Sequence, residues 1–359
     1  MSETSDRSGQ VTVTAFGLTD AGRVRKNNED AFLISQLANA AEGMMPEEVV
    51  TFDAGEHAVV LAVSDGMGGA EAGEVASALV VQSLRDAMMN AKGGDWDEAT
   101  KAAVEKANRA VWDAAKEPGK KGMGATVTAV CVHKNQAHIA EVGDSRAYLI
   151  RHGRIRQMTR DQSFVQFLVD SGALKPEEAE SYPMKNVVLQ AMGQRADVQV
   201  ALGRLELRRG DRLLLCSDGL SGMVTANDMR DTIERAKSLD EACSELITLA
   251  NERGGEDNIT VVLAEVGGDG LAIPRDAETL TQTFQVLAEY KAAAAGADLH
   301  DEAGDDDQDV DEGASELAPP PSSSPPVAQP NPSSKLPMLV LAVGIGLLVA
   351  MIVVLLMRR

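Results

Sequence analysis

The chain has 359 residues, of which 55 are Asp or Glu and 34 are Lys or Arg, for a formal net charge of −21. That balance, with only 11 Phe, Trp and Tyr, argues against nucleic-acid binding, which draws on cations for phosphates and on aromatic platforms for bases. Cys131, Cys216 and Cys243 show neither metal-ligand spacing nor an even-numbered disulfide framework, so they read as reduced thiols.

Residues 1–10 are polar and lack an apolar run, so no secretory signal is expected. Next come the cations Arg23, Arg25 and Lys26, and then Asn28-Glu29-Asp30 ahead of the apolar residues 31–34. Residues 59–64 form a β-rich run leading into Asp65-Gly66-Met67-Gly68-Gly69. Two helices follow. Residues 71–89 carry Val80, Leu84 and Met88 on one stripe with Val75 and Leu79 beside it, and residues 97–116 carry Ala103, Val104, Ala107, Val111 and Ala114. Further β runs are predicted at 126–132, 137–142, 212–217 and 259–266. Strand clusters followed by paired helices, without regular alternation, point to an α+β domain over residues 1–267, with helices packed on antiparallel sheets.

Beyond residue 267 the material changes. Residues 268–337 hold 14 Asp or Glu against Arg275, Lys291 and Lys335, and eight of the 13 prolines lie between Pro319 and Pro337. Leu280, Phe284, Leu287 and Tyr290 share a helical stripe, which predicts a helical extension within 268–297, over residues 276–297. Residues 298–337, acidic and then Pro/Ser-rich, cannot bury enough apolar surface to offset ordering entropy and read as a disordered linker. The rhythm Asp307, Asp309, Asp311 opens like a calcium loop, but Glu312 and Ala318 stand where that loop needs Gly and Glu. Residues 338–357 are 20 residues without a charge or a proline, long enough at about 1.5 Å per residue to cross a bilayer. A transmembrane helix is predicted there, as a single-pass tail anchor ahead of Arg358 and Arg359. A reduced, acidic, signal-less domain is expected to stay in the cytoplasm, at the cytoplasmic membrane.

The chemistry lies in aspartates at the ends of apolar runs. Asp65-Gly66 follows one run, Asp218-Gly219 follows another, Asp257-Asn258 precedes a third, and Glu29-Asp30 precedes a fourth. Asp-Gly and Asp-Asn are also ordinary turn pairs. That account weakens when the string apolar strand–Ser–Asp–Gly occurs twice, at Ser64 and Ser217. Converging carboxylates without His or Cys partners suit hard divalent cations, Mg2+ or Mn2+, better than zinc. Two such ions on bridging carboxylates would acidify a shared water and clamp the oxygens of an in-line displacement at phosphorus. A fixed cation for the phosphate is also needed. Arg25, Arg23 and Lys26 compete for that role, and on the residues alone a solvated basic cluster accounts for all three.

These strings resemble the bacterial PPM (type 2C) metal-dependent Ser/Thr protein phosphatases. The match runs through Arg25-Lys26-Asn27-Asn28-Glu29-Asp30, Asp65-Gly66-Met67-Gly68-Gly69 and Gly122-Met123-Gly124-Ala125-Thr126. It continues through Gly143-Asp144-Ser145-Arg146-Ala147-Tyr148, Ser217-Asp218-Gly219-Leu220 and Asp257-Asn258-Ile259-Thr260. The resemblance implies a sandwich of two antiparallel β-sheets flanked by antiparallel helix pairs. It implies that Asp65 bridges two metals, with the Gly66 carbonyl, Asp218 and Asp257 completing their ligands. Glu29 and Asp30 would hold metal-bound waters, Asp144 would bind a third, labile ion, and Arg25 would bind the phosphate. Asp65, Asp218 and Arg25 would thus carry catalysis, in which a metal-bridging hydroxide attacks phosphorus in line. Residues 161–193 match a mobile flap beside the active site, with 161–171 and 176–181 helical.

The implied substrates are phosphoserine and phosphothreonine in proteins, and the implied partners are a Ser/Thr protein kinase and its targets. A catalytically silent, membrane-anchored phosphoprotein-binding scaffold is the alternative, disfavoured by the complete carboxylate set. Three departures from the family pattern stand out. Met67 replaces a His of eukaryotic members, Ala125 replaces a Thr, and residues 36–57 lengthen the first hairpin with an acidic insert.

Overall fold

The computed structural model describes residues 9–38, 46, 48–68, 70–91, 94–179, 182–275 and 281–292. The first strands are β1 (Thr12–Asp20), β2 (Asp30–Gln36), β3 (Val50–Asp53) and β4 (Val59–Met67), followed by helices α1 (Ala70–Met89) and α2 (Trp96–Ala114). Strands β5 (Gly124–Ala125), β6 (Val127–His133), β7 (Gln136–Val142), β8 (Arg146–Arg151) and β9 (Arg154–Gln157) come next. Then come α3 (Phe164–Asp170), α4 (Pro176–Ala179), β10 (Ala201–Glu206) and β11 (Arg212–Cys216). The last elements are α5 (Asp218–Ser221), α6 (Ala226–Arg235), α7 (Leu239–Glu252), β12 (Ile259–Gly267) and β13 (Phe284–Ala288).

Two antiparallel sheets form, in the orders β3-β1-β12-β11-β8-β9 and β13-β10-β7-β6-β4-β2, with β5 paired to β4. Both faces of each sheet are covered, which is why the central strands read as unbroken apolar runs and not as alternating ones. In β4, Val59, Leu61 and Val63 enter the core between the sheets, with Val13, Leu149, Leu215 and Val262 from the other sheet. Val60 and Ala62 point the opposite way, onto α1 and α2. The outer face of the other sheet packs on α6 and α7 through Leu214, Leu263, Ile233 and Leu246. The layers are therefore helix, sheet, sheet, helix, as the resemblance implies.

The helices start where capping chemistry permits. Asp95 caps α2 by accepting from the Asp97 and Glu98 amides, and Ser238 caps α7 by accepting from Glu241. The buried stripe of α1 is Ala72, Ala76, Val80, Leu84 and Met88, spaced i, i+4 throughout, whereas Val75 is exposed. Helices α3 and α4 fall within the two segments predicted to be helical in the flap. All three cysteines are buried and free.

One expectation changes. Residues 284–288 are strand β13, not part of a helix, and pair with β10 from Leu205↔Phe284 to Leu202↔Ala288. The helical stripe is overridden by tertiary contact. Phe284 packs on the inter-sheet core, in the space that a Cβ at Gly203 would need, while Val286 and Leu287 are exposed. Thr283 is fixed as well, its carbonyl accepting from the Glu206 amide at 2.8 Å. The domain therefore does not stop at residue 267. Leu271 is buried, and the chain stays on the sheet through β13. Part of the 36–57 insert crosses to the other sheet as β3, paired with β1.

Among the described residues no helix is long and apolar enough to cross a membrane. The predicted linker, 298–337, and the predicted span, 338–357, lie outside the described residues.

Candidate metal centre

The two sheets bring the predicted carboxylates to one end of the sandwich. Asp30 opens β2 and Asp65 lies near the end of β4, and the two are cross-strand partners. On the other sheet, Asp218 follows β11 and Asp257 precedes β12, the strand paired to β11. Asp30 joins the halves. Its Oδ2 accepts from Ser217 Oγ at 2.8 Å and from Thr260 Oγ1 at 2.6 Å, both on the opposite sheet's edge of the site. Ser217 Oγ also accepts from the Thr260 amide at 3.0 Å.

The loop carrying Arg25 and Glu29 is braced by Asn258. Its Oδ1 accepts from the Glu29 amide at 2.8 Å, and its Nδ2 donates to the Ala21 and Asn27 carbonyls. On the Asp65 side, the Asp65 amide donates to Thr126 Oγ1 at 3.0 Å, and Ser64 Oγ donates to the Thr126 carbonyl at 2.7 Å. Gly66 and Gly73 permit a close approach between β4 and the start of α1. A Cβ on Gly66 would collide with the Gly73 carbonyl, and a Cβ on Gly73 would collide with the Glu29 carboxylate.

Electrostatically the cluster is unbalanced. Burial first, and then the charges of Asp30, Asp218, Asp144 and Asp257, hold the Asp65 carboxyl well above the usual carboxylate range. Burial pushes Asp30 up to about 7 against its hydroxyl donors, with Asp218 and Asp257 adding to the rise. Burial, Asp218 and Asp161 push Asp144 up to about 8, opposed by Arg146. Asp218 is raised by burial and by Asp257, and Glu29 chiefly by burial. A multivalent cation would relieve carboxylates that destabilise one another's charge in this way. Two of their oxygens, Asp30 Oδ1 and Asp218 Oδ1, are buried without a hydrogen-bond partner.

The donor set, all hard oxygens with two such orphans, fits Mn2+ or Mg2+. Among the described residues no group of three His, Cys, Asp or Glu side chains is placed to hold a metal ion. Asp257 in particular is engaged elsewhere, its Oδ2 accepting from Arg25 at 2.8 Å.

A cleft of about 720 Å³ opens on this cluster, lined by Arg25, Asp144, Arg146, Asp218 and Asp257 and by flap residues that include Lys185 and Asn186. Of the three competing cations, Arg25 lines it, whereas Arg23 and Lys26 do not. Arg146 was not singled out from sequence. Its guanidinium grips Asp161 through Nε and NH2, at 2.9 and 2.6 Å, where the flap begins. Ser217 and Thr260 were also missed as partners of Asp30. The signal was the Ser before Asp in both repeated strings, and both serines brace a neighbouring strand or loop. Met67 is half-buried, its Sδ accepting from Gln194 Nε2 at 3.6 Å.

A family profile described as Protein phosphatase 2C matches residues 38–263. The chain is 40% identical over 249 residues to the serine/threonine protein phosphatase PstP of Mycobacterium tuberculosis, covering 69% of this chain but 44% of that protein. It thus spans less than half the length of that relative. It is 37% identical to the serine/threonine phosphatase stp of Listeria welshimeri, covering 69% of this chain and 93% of that protein. Among solved structures, a PstP catalytic domain in complex with two manganese ions superposes with a TM-score of 0.60 at 36% identity, over 72% of this chain and 99% of that one. The Streptococcus agalactiae serine/threonine phosphatase gives 0.62 at 36% identity, over 70% of this chain and 99% of that one.

Proposed function

The chain belongs to the protein phosphatase 2C family, and on that premise we propose that it hydrolyses phosphoserine and phosphothreonine in proteins with the help of Mn2+ or Mg2+. Asp65, the Gly66 carbonyl, Asp218 and Asp257 would hold two ions, and Asp144 a third. The observation that carries this reading is the cluster of mutually repelling, buried carboxylates closed across two sheets by Asp30. When bound, the ions supply an acidified water and positive charge opposite the phosphate oxygens.

The protein's own groups do the rest. Arg25, on the cleft wall beside Asp257, offers a planar fork of donors that orients the phosphate in line. Asp30 keeps Oδ2 on its two hydroxyl donors, so Oδ1 is the oxygen free to accept from water. Glu29 is held beside it by Asn258 and by the room left at Gly73.

The full chain in detergent with Mn2+ is expected to release phosphate from phosphoserine and phosphothreonine peptides, with release abolished by EDTA. Binding of the phosphopeptide without metal-dependent release would instead establish the silent scaffold.

We further propose that the domain is tethered to the cytoplasmic membrane through residues 338–357, with a Ser/Thr kinase and its targets as partners. Twenty uncharged residues support the tether. The full chain is expected to sediment with membranes and a chain lacking residues 338–359 to stay in the supernatant. Equal solubility of the two forms would dismiss the tether.

A further inference from the structure

Gln162 lies one residue past the start of the flap, 1% exposed, and every one of its polar groups is engaged. Its amide donates to the Gly143 carbonyl at 2.8 Å, and its side-chain Oε1 accepts from the Gly143 amide at 3.1 Å. Both backbone groups of the residue before Asp144 are therefore held by Gln162. Its Nε2 donates to the Glu141 carbonyl at 3.1 Å, extending the clasp to the end of β7.

The same residue reaches the far root of the flap. Its carbonyl accepts from the Leu189 amide at 2.7 Å, and its Oε1 also accepts from Gln190 Nε2 at 2.9 Å. Gly143, in turn, sits at φ +110°, and a Cβ there would lie 2.7 Å from the Thr126 side chain. Thr126 Oγ1 accepts from the Asp65 amide and pairs with Ser145 Oγ at 2.7 Å. A chain of direct contacts thus runs from both flap roots, through Gln162, Gly143 and Thr126, to the backbone of Asp65.

We propose that Gln162 is a positioning residue for the metal-dependent hydrolysis proposed above. It clasps the two roots of the flap to the Glu141–Asp144 turn and so fixes Asp144 and the flap in one register. A buried side-chain amide that only filled space would not need to bond the Gly143 amide, the Glu141 carbonyl and Gln190 of the opposite root at once. An amide clasp of this kind is also strictly oriented. Oε1 accepts twice and Nε2 donates, so replacing the amide by a carboxylate preserves the two acceptor bonds and loses the donor.

The test uses the full chain and Gln162→Ala and Gln162→Glu, with the Leu189 and Phe164 amides followed by hydrogen exchange. In Gln162→Ala these amides are expected to exchange at least about tenfold faster than in the wild type, with Gln162→Glu in between. The Mn2+ concentration for half-maximal rate and the KM for a phosphopeptide are expected to rise several-fold. The KM for p-nitrophenyl phosphate, too small to reach the flap, stays within about twofold. Wild-type exchange and wild-type KM and Mn2+ dependence in Gln162→Ala, with only a lowered Tm, would overturn the proposal and leave Gln162 as packing. If the wild type shows no turnover, the phosphatase reading fails, and hydrogen exchange alone still decides whether Gln162 holds the flap.

Discussion

Asp218→Asn is expected to lower kcat/KM for a phosphopeptide by about a thousandfold at saturating Mn2+, while making the metal-free protein more stable. The side chain is nearly isosteric, so the fold has no steric reason to change. What changes is charge: Asp218 is half-buried near Asp257, and its Oδ1 is buried without a hydrogen-bond partner. If that charge is a ligand, as proposed, its loss removes several kcal/mol of transition-state stabilisation, at about 1.4 kcal/mol per decade. Without a cation it is a liability. The folded state raises the Asp218 pKa, so near neutral pH the ionised group favours unfolding, and an uncharged amide relieves the strain.

The two effects have opposite signs and come from one substitution, which distinguishes a ligand from an ordinary structural aspartate. Thermal unfolding in EDTA is expected to show a higher Tm than wild type, by about 2–4 °C per kcal/mol relieved. In Mn2+ the ordering reverses, because the variant gains less from binding. A variant within about tenfold of wild-type activity, or one less stable in EDTA, would remove Asp218 from the ion-binding set.

Much of that site is legible in the sequence, because its signal is local. An apolar run ending in Ser-Asp-Gly places a carboxylate at a strand terminus wherever the strand goes, and Asp65 and Asp218 do just that. The closure of the site is not legible, because it depends on partners far along the chain. Asp30 is held by hydroxyls 187 and 230 residues away, and no spacing rule connects them. The same holds for β13. Leu280, Phe284, Leu287 and Tyr290 have helical spacing, and only the gap over Gly203, in a strand 81 residues upstream of Phe284, decides that Phe284 belongs to a sheet. Periodicity reports which residues could share a face, and tertiary contact decides whether that face is used. Gln162 is hidden for a third reason. A polar residue next to Asp161 carries no sign of burial in the sequence, and only the closing of the two flap roots over it buries it.

Arg151→Ala is expected to cost about 3–5 kcal/mol of folding stability while changing the kcat of the folded fraction little. Arg151 ends β8 with its side chain almost fully buried. Its Nε and NH2 donate to the two oxygens of Asp211 at 2.6 Å each. NH1 donates to Thr283 Oγ1 at 2.8 Å and NH2 also to the Glu206 carbonyl at 3.0 Å. Asp211 is itself fully buried, and its Oδ2 accepts from the Arg208 amide as well. Burial already raises its pKa against the pull of Arg151.

Removing the guanidinium strands a carboxylate in the interior, which is far costlier than never having the pair. The double variant Arg151→Met with Asp211→Leu is therefore expected to recover part of the loss, falling short of wild type because the Arg208 amide loses its acceptor. Urea unfolding of wild type and the two variants measures this, and Arg151→Ala within about 1 kcal/mol of wild type would show that the pair bears little load. Hydrogen exchange of residues 284–288 should rise with the destabilisation, since Thr283 loses the donor that anchors β13. The carboxylate-lined cleft is at the other end of β8, where Arg146 grips Asp161. Stability and the proposed catalysis therefore separate along a single strand: Arg151 governs how much protein is folded, and Arg146 borders the carboxylates proposed to hold the metal ions.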